Sequence, residues 1–323
     1  AHPSFNPQSI YRSGHAPDSR CCVNLFGIGD ALAYGRFMQQ SPVDGMVQNT
    51  AACKTAFDLQ RDVPTCTSAS ARDGSCLTAE QKTGIGELFS GARTASGKKI
   101  YASWPYDNGI QTGGWSFWKF VVPGILDSVA VGQIWMTPPQ DAASFNPVQF
   151  AATGNLDQIL TGVNATSSTY TESAMSFMTP PNPSNLSTLK GRGAKMMVYH
   201  GTADPIFSSD DTANWYDSLS KANSGDASNF ARYYQVPGMN HCAGGPSTDQ
   251  FDMLSPLVEW VEKGKAPAEI VATARGTGNA GGVNTDLPSD WAADRSRPLC
   301  VYPKVARYKG SGSMEVASNF SCQ

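Results

Sequence analysis

KMMVYHGTADP (residues 195–205) and ARYYQVPGMNHCAGG (residues 231–245) decide how this chain folds. Lys195 to Tyr199 and Ala231 to Val236 are short apolar runs, each followed by a glycine- and proline-bearing segment, which is the pattern of buried strands. Between them, Asp210 to Lys221 reads as a helix with Trp215 and Leu219 on one face. A second helix is expected downstream, with Ser255 as N-cap, Pro256 at the first helical position, and Leu257, Val258 and Val261 facing inward. Strand, helix, strand, helix is the repeat of a doubly wound α/β sheet. Loops at the carboxyl ends of its strands are where such folds place reactive groups. The first of these loops carries Asp204 and the second His241.

An acid and a histidine on successive loops match the way an α/β fold presents the last two members of a Ser-Asp-His triad. His241 suits a general base, because imidazole takes up and returns a proton near neutral pH. Asp204 would fix its tautomer; a turn former ahead of Pro205 is the competing role. His200 ends the strand and reads as a packed, hydrogen-bonded neighbour. What is missing is the nucleophile. No Gly-x-Ser-x-Gly occurs in the 323 residues, and Ser208 and Ser209, close to Asp204, look like helix caps. Cys242 adjoins His241, where a disulfide role suits it better than a nucleophilic one.

Composition bounds the rest. A formal net charge of −3 supplies no basic field, so nucleic-acid binding is not expected. No apolar run reaches the ~20 residues of a membrane span, and AHPSFNPQSIYRSG at the start lacks the apolar core of a secretion signal. Residues 1 to 42 read as irregular. Thr78 starts a helix that runs toward Ala92, with glycines weakening its end. Residues 100 to 190, rich in Trp, Pro, Asn, Ser and Gly, suit an insertion better than the centre of a sheet.

None of the eight cysteines has zinc-like spacing, so no metal site is indicated. The spacing favours two local disulfides, Cys66 with Cys76 and Cys300 with Cys322, while the pairing of Cys21, Cys22, Cys53 and Cys242 stays open. Disulfides imply an oxidising compartment, so the expected location is secreted or periplasmic. Sequons at Asn164, Asn185 and Asn319 agree with secretion.

GAKMMVYHGTADPIFSSDDTANWYDSL, ARYYQVPGMNHCAGGPSTDQFDMLSPLVEWVEKGKAP and RPLCVYPKVARYKGSGSMEVASNFSCQ, in that order, resemble the C-terminal part of the tannase and feruloyl esterase family. The Asn-His-Cys-x-Gly-Gly segment is its signature. The resemblance implies an α/β fold: the C-terminal half of an α/β-hydrolase with an inserted lid domain, the N-terminal half of the sheet and the nucleophile elbow being absent. Residues 43–185 would be the lid, 186–323 the C-terminal catalytic segment, and 1–42 unrelated. Asp204 and His241 correspond to the triad acid and base. The family's serine lies in Gly-Cys-Ser-x-Gly-Gly, whose cysteine bonds to the cysteine after the histidine; Cys242 matches the latter.

The same resemblance places Trp118 and Phe207 against the aromatic acyl group, although Trp118 can equally be core. It implies a serine-type hydrolase of hydroxycinnamoyl or galloyl esters, with a small aromatic ester as the only partner and no set oligomeric state. That family includes a bacterial hydrolase of mono(hydroxyethyl) terephthalate, whose carboxylate-gripping arginine has no counterpart here. Of the lid's Asp-rich calcium loop only Asp44-Gly45-Met46 remains, with Phe37 and Gln40 where acids would stand. Calcium wants six to eight oxygens, so no cofactor is expected to be required. The alternative is a catalytically incomplete fragment, inactive or an aromatic-binding module.

Overall fold

The computed structural model describes residues 44–66 and 76–323. Expectations resting on Cys21, Cys22, Phe37 and Gln40 lie outside the described residues.

The two quoted stretches form parallel strands, β1 (Met196–Gly201) and β2 (Ala231–Val236), paired from Met196–Ala231 to Gly201–Val236. Helix α9 (Ser209–Ala222) makes the crossover, capped by the Ser208 hydroxyl, which accepts from the Asp210 amide. Its Tyr216 and Leu219 bury against Phe230 and Tyr233, with Trp215 at the margin. The outer edge of β2 meets the C-terminal segment through a Tyr234–Val301 bridge. There β3 (Glu269–Thr273) and β4 (Ser296–Cys300) pair antiparallel, as do β5 (Ala306–Tyr308) and β6 (Phe320–Cys322). Cys300–Cys322 ties these two pairs together, and Cys66–Cys76 closes the second predicted loop. Cys53 is also disulfide-bonded.

Helix α10 (Leu254–Lys263) departs from expectation. It starts before Ser255, because the Asp252 carboxylate accepts from the amides of Leu254 and Ser255 and so takes over the capping role. Its buried residue is Trp260, not the predicted stripe: Val258 and Val261 are 40% and 57% exposed, and Leu257 is half-buried.

The helical part begins with α1 (Thr50–Ala56) and α2 (Leu59–Asp62). The Thr78 prediction holds. Thr78 and Gln81 form a capping box on α3 (Ala79–Ser90). A core of Val47, Phe57, Leu59, Val63, Phe89, Trp104 and Trp115 joins these helices to α4 (Gly113–Phe120). Further on come α5 (Pro147–Thr153), α6 (Leu156–Asn164), α7 (Ala174–Met178) and α8 (Ser187–Gly191).

The helical turns from Gly113 to Trp135, 23 residues, are long and apolar enough to cross a membrane by length and composition. That corrects the reading that no apolar run is so long. The run is not one regular helix, since Pro123 and a π-helical stretch (Ala130–Trp135) interrupt it.

Asp44 lies apart from any cation-binding geometry. Its carboxylate is fully buried and accepts from Arg297 Nη2 (2.6 Å) and Nε (3.1 Å). Among the described residues no group of three or more His, Cys, Asp or Glu could hold a metal. The Arg297 guanidinium therefore supplies the positive charge that faces this carboxylate.

Candidate active site

Gly201 ends β1 against the His241 loop. A Cβ there would overlap the carbonyl oxygens of Met239 and Asn240, so only glycine lets the two loops meet this closely. The turn that follows brings Asp204 inward, 5% exposed. Its Oδ1 accepts from the amides of Ile206 (2.7 Å) and Phe207 (3.0 Å). Its Oδ2 faces two imidazoles, His241 Nδ1 at 2.8 Å and His200 Nε2 at 3.2 Å. A carboxylate engaged this way only accepts, so both facing ring nitrogens carry the proton. His241 is thereby left with Nε2 as its free, basic nitrogen, the tautomer a general base needs. The side chain is 38% exposed, open to an incoming group.

Burial pushes the Asp204 carboxyl up, but the bonds from His200, His241, Phe207 and Ile206 outweigh it, and the net is below the ordinary carboxylate range. Asp204 is therefore an ion at neutral pH. His200 has the packed role expected of it: its Nδ1 meets the Thr212 hydroxyl at 2.8 Å, and it shares Asp204 with His241. Among the described residues no hydroxyl is hydrogen-bonded to His241 Nε2. Cys242 is an exposed free thiol with φ 65°, a left-handed backbone unusual for a residue with a side chain.

Phe207 leans on the His241 ring, centroids 5.7 Å apart, and is 56% exposed. Trp118 is half-buried on α4, with its ring edge-on to Phe117. Its neighbour Lys119 was not singled out from the sequence. The ammonium sits 2.8 Å from the ring centroid of Trp104, itself against Tyr101. Burial pulls Lys119 down to about 7, opposed by the charges of Asp204 and Asp127. The Tyr101 hydroxyl accepts from the Ser208 amide at 3.0 Å, which fixes the end of the Asp204 loop.

Asp107 was missed too. Its PYDNG context reads as an ordinary turn, and its partners are about 95 and 131 residues away. The orphaned side-chain oxygen of Asn240, Oδ1, lies buried beside His241 without a hydrogen-bond partner.

Residues 38–323 match the family described as "Tannase and feruloyl esterase". The chain is 36% identical over 306 residues to mono(2-hydroxyethyl) terephthalate hydrolase of Piscinibacter sakaiensis, an overlap of 86% of this chain and 48% of that protein. Two solved structures share the fold. Tannin acyl hydrolase from Aspergillus niger has TM-score 0.60 and 16% identity, covering 90% of this chain and 51% of the other. Feruloyl esterase B from Aspergillus oryzae has TM-score 0.56 and 23% identity, covering 87% and 53%. The chain thus spans about half the length of the curated relatives it matches. By sequence over most of its length, this chain belongs to the tannase and feruloyl esterase family.

Proposed function

We propose that this chain carries the acid and base of a serine-type carboxylic ester hydrolase, Asp204 orienting and His241 relaying the proton. The observation that supports it most is Asp204 Oδ2 holding His241 Nδ1 at 2.8 Å while Nε2 is left open. In that reading a serine attacks the ester carbonyl, His241 takes its proton, and the same imidazolium protonates the departing alcohol. Water then repeats the sequence on the acyl-enzyme. The serine would come from polypeptide outside these 323 residues, a view favoured by the half-length match to relatives. Strand β1 agrees with it: among the described residues it pairs only with β2, and Tyr199 on it is 45% exposed.

The substrate class we infer is aromatic, hydroxycinnamoyl or galloyl esters. Phe207 against His241 supports an aromatic surface beside the reacting carbon, and Trp118 would cover it from residues 43–185, acting as a lid. The two disulfides favour an oxidising, secreted or periplasmic setting. The absence of a Gly-x-Ser-x-Gly motif from these residues favours a second reading, that the chain alone is catalytically silent.

One experiment separates them. The purified chain is assayed with methyl ferulate and an alkyl gallate, with and without a co-expressed segment bearing Gly-Cys-Ser-x-Gly-Gly. Turnover that His241→Ala abolishes supports the hydrolase. Turnover only with the added segment assigns the nucleophile to it. No turnover of either ester in either form rules out the substrate class.

A further inference from the structure

Asp107 takes no part in the proton relay, yet its side chain is wholly buried where the two catalytic loops converge. Its Oδ2 accepts from the Thr202 hydroxyl (2.6 Å) and the Gly238 amide (3.3 Å), and its Oδ1 accepts from the Gly109 amide (2.8 Å). Thr202 stands two residues before Asp204, and Gly238 three before His241. One carboxylate oxygen therefore holds both loops. Thr202 closes the clasp by accepting from the Gly238 amide at 3.1 Å.

The short turn that Asp107 caps, Asn108–Gln111, is wedged against the same two loops. A Cβ at Gly109 would overlap the Ala203 side chain and the Gly238 carbonyl. At the far end of the turn, the Thr112 hydroxyl donates to the Gly109 carbonyl and accepts from Asn240 Nδ2 at 2.8 Å. Asn240 is the residue before His241. The turn thus grips the acid loop at Thr202 and Ala203, and the base loop at Gly238 and Asn240.

From this geometry we infer that Asp107 is a positioning residue, locking the Asp204 and His241 loops in register so that the Asp204–His241 hydrogen bond forms. The inference rests on reading that pair as acid and base. A buried carboxylate is costly, and burial pushes Asp107 up against the lowering effect of its three donors. An apolar side chain would fill the space without that cost, but could not hold three donors at one point. Misplacing a catalytic group by about 1 Å can cost ~10²-fold in rate, so a lock of this kind has a use that core packing lacks.

The test reads the hydrogen bond itself in the 323-residue chain. Protein labelled with 15N-histidine is compared as wild type, Asp107→Ala, Asp107→Asn, Thr202→Val and Phe320→Ala, the last a core truncation remote from the site. The Nδ1 proton of His241 is identified by its loss in His241→Gln. Asp107→Ala is expected to abolish this resonance while circular dichroism stays native, and Thr202→Val to weaken it. Asp107→Asn should restore it in part: its carbonyl can take the Gly109 amide and its NH2 can face Thr202, whose hydroxyl turns to the Val236 carbonyl 3.3 Å away, but that NH2 cannot accept from the Gly238 amide, which keeps only its bond to Thr202. Phe320→Ala should leave it intact.

An unchanged resonance in natively folded Asp107→Ala overturns the inference. If Asp107→Ala does not fold, an unchanged resonance in Thr202→Val overturns it. Equal loss in Phe320→Ala does so as well, since the effect would then be general destabilisation. Wherever ester turnover is measurable, kcat should fall by ~10²-fold with KM nearly constant. Failure of the ester assay with the resonance pattern as expected would sink the substrate reading and leave the lock standing.

Discussion

Replacing Asp204 by Asn changes one atom and reverses two hydrogen bonds. The amide has a single acceptor, and two backbone donors, Ile206 at 2.7 Å and Phe207 at 3.0 Å, claim it. Its NH2 then takes the place of Oδ2 and faces His241 and His200 as a donor. Both imidazoles must give up the proton on the facing nitrogen. For His200 the exchange is easy, because Thr212 Oγ1 can accept from its other nitrogen. For His241 it places the proton on Nε2, where a base must be bare, and a wrong tautomer of this kind costs on the order of 10⁴-fold in kcat.

Stability falls as well. Two charge-assisted bonds at about 1.5–3 kcal/mol each become neutral ones at about 0.5–1.5, a loss of roughly 2–3 kcal/mol together. The pH dependence has a definite sign. Asp204 is held below its ordinary value of 3.8 in the fold, so its contribution is present above about pH 4 and disappears as pH falls through the folded value. Urea unfolding should show the full gap between wild type and Asp204→Asn at pH 7 and a smaller one at pH 3. Histidine 15N shifts at pH 8 report the tautomers directly. A variant in which His241 stays protonated on Nδ1 would refute the reasoning, as would a gap independent of pH.

Arg297→Met, which strands the buried Asp44 carboxylate, should cost about 3–5 kcal/mol in urea unfolding, and the double variant with Asp44→Leu should recover most of it. Converting Cys300 and Cys322 to alanine opens a loop of 22-residue separation and should lower stability by about 3 kcal/mol, read as a lower denaturation midpoint. Lys119, pulled down to about 7, binds fewer protons folded than unfolded between there and its ordinary 10.5. Wild-type stability should therefore rise with pH across that window, and Lys119→Met should flatten the slope.

The sequence announces β1, β2, α9 and the Thr78 cap because each depends on neighbours in the chain: an apolar run, a Ser or Thr before a helix, a glycine after a strand. Asp204 and His241 were legible for the same reason, each sitting a few residues past a strand end. The start of α10 was misread because Ser-Pro is a good local signal that the Asp252 carboxylate overrides. Its inward face was misread because the apolar stripe is real but points outward in the described residues. Asp107 left no local trace, and neither did the sharing of Asp204 by two histidines, which requires knowing where a ring points. The family resemblance placed Asp44 in the remnant of a calcium loop, and the partner of its carboxylate is an arginine 253 positions on.

That separation has a consequence during synthesis. At ~5–20 residues per second, Asp44 would wait roughly 13–50 s for Arg297 to be translated. Until then the segment around Asp44 has a carboxylate that stays hydrated, which opposes premature burial of the neighbouring Met46 and Val47. Arrival of the arginine neutralises it and lets that segment settle against β4. A charge matched only from β4 delays closure of the contacts around Asp44 until Arg297 is available.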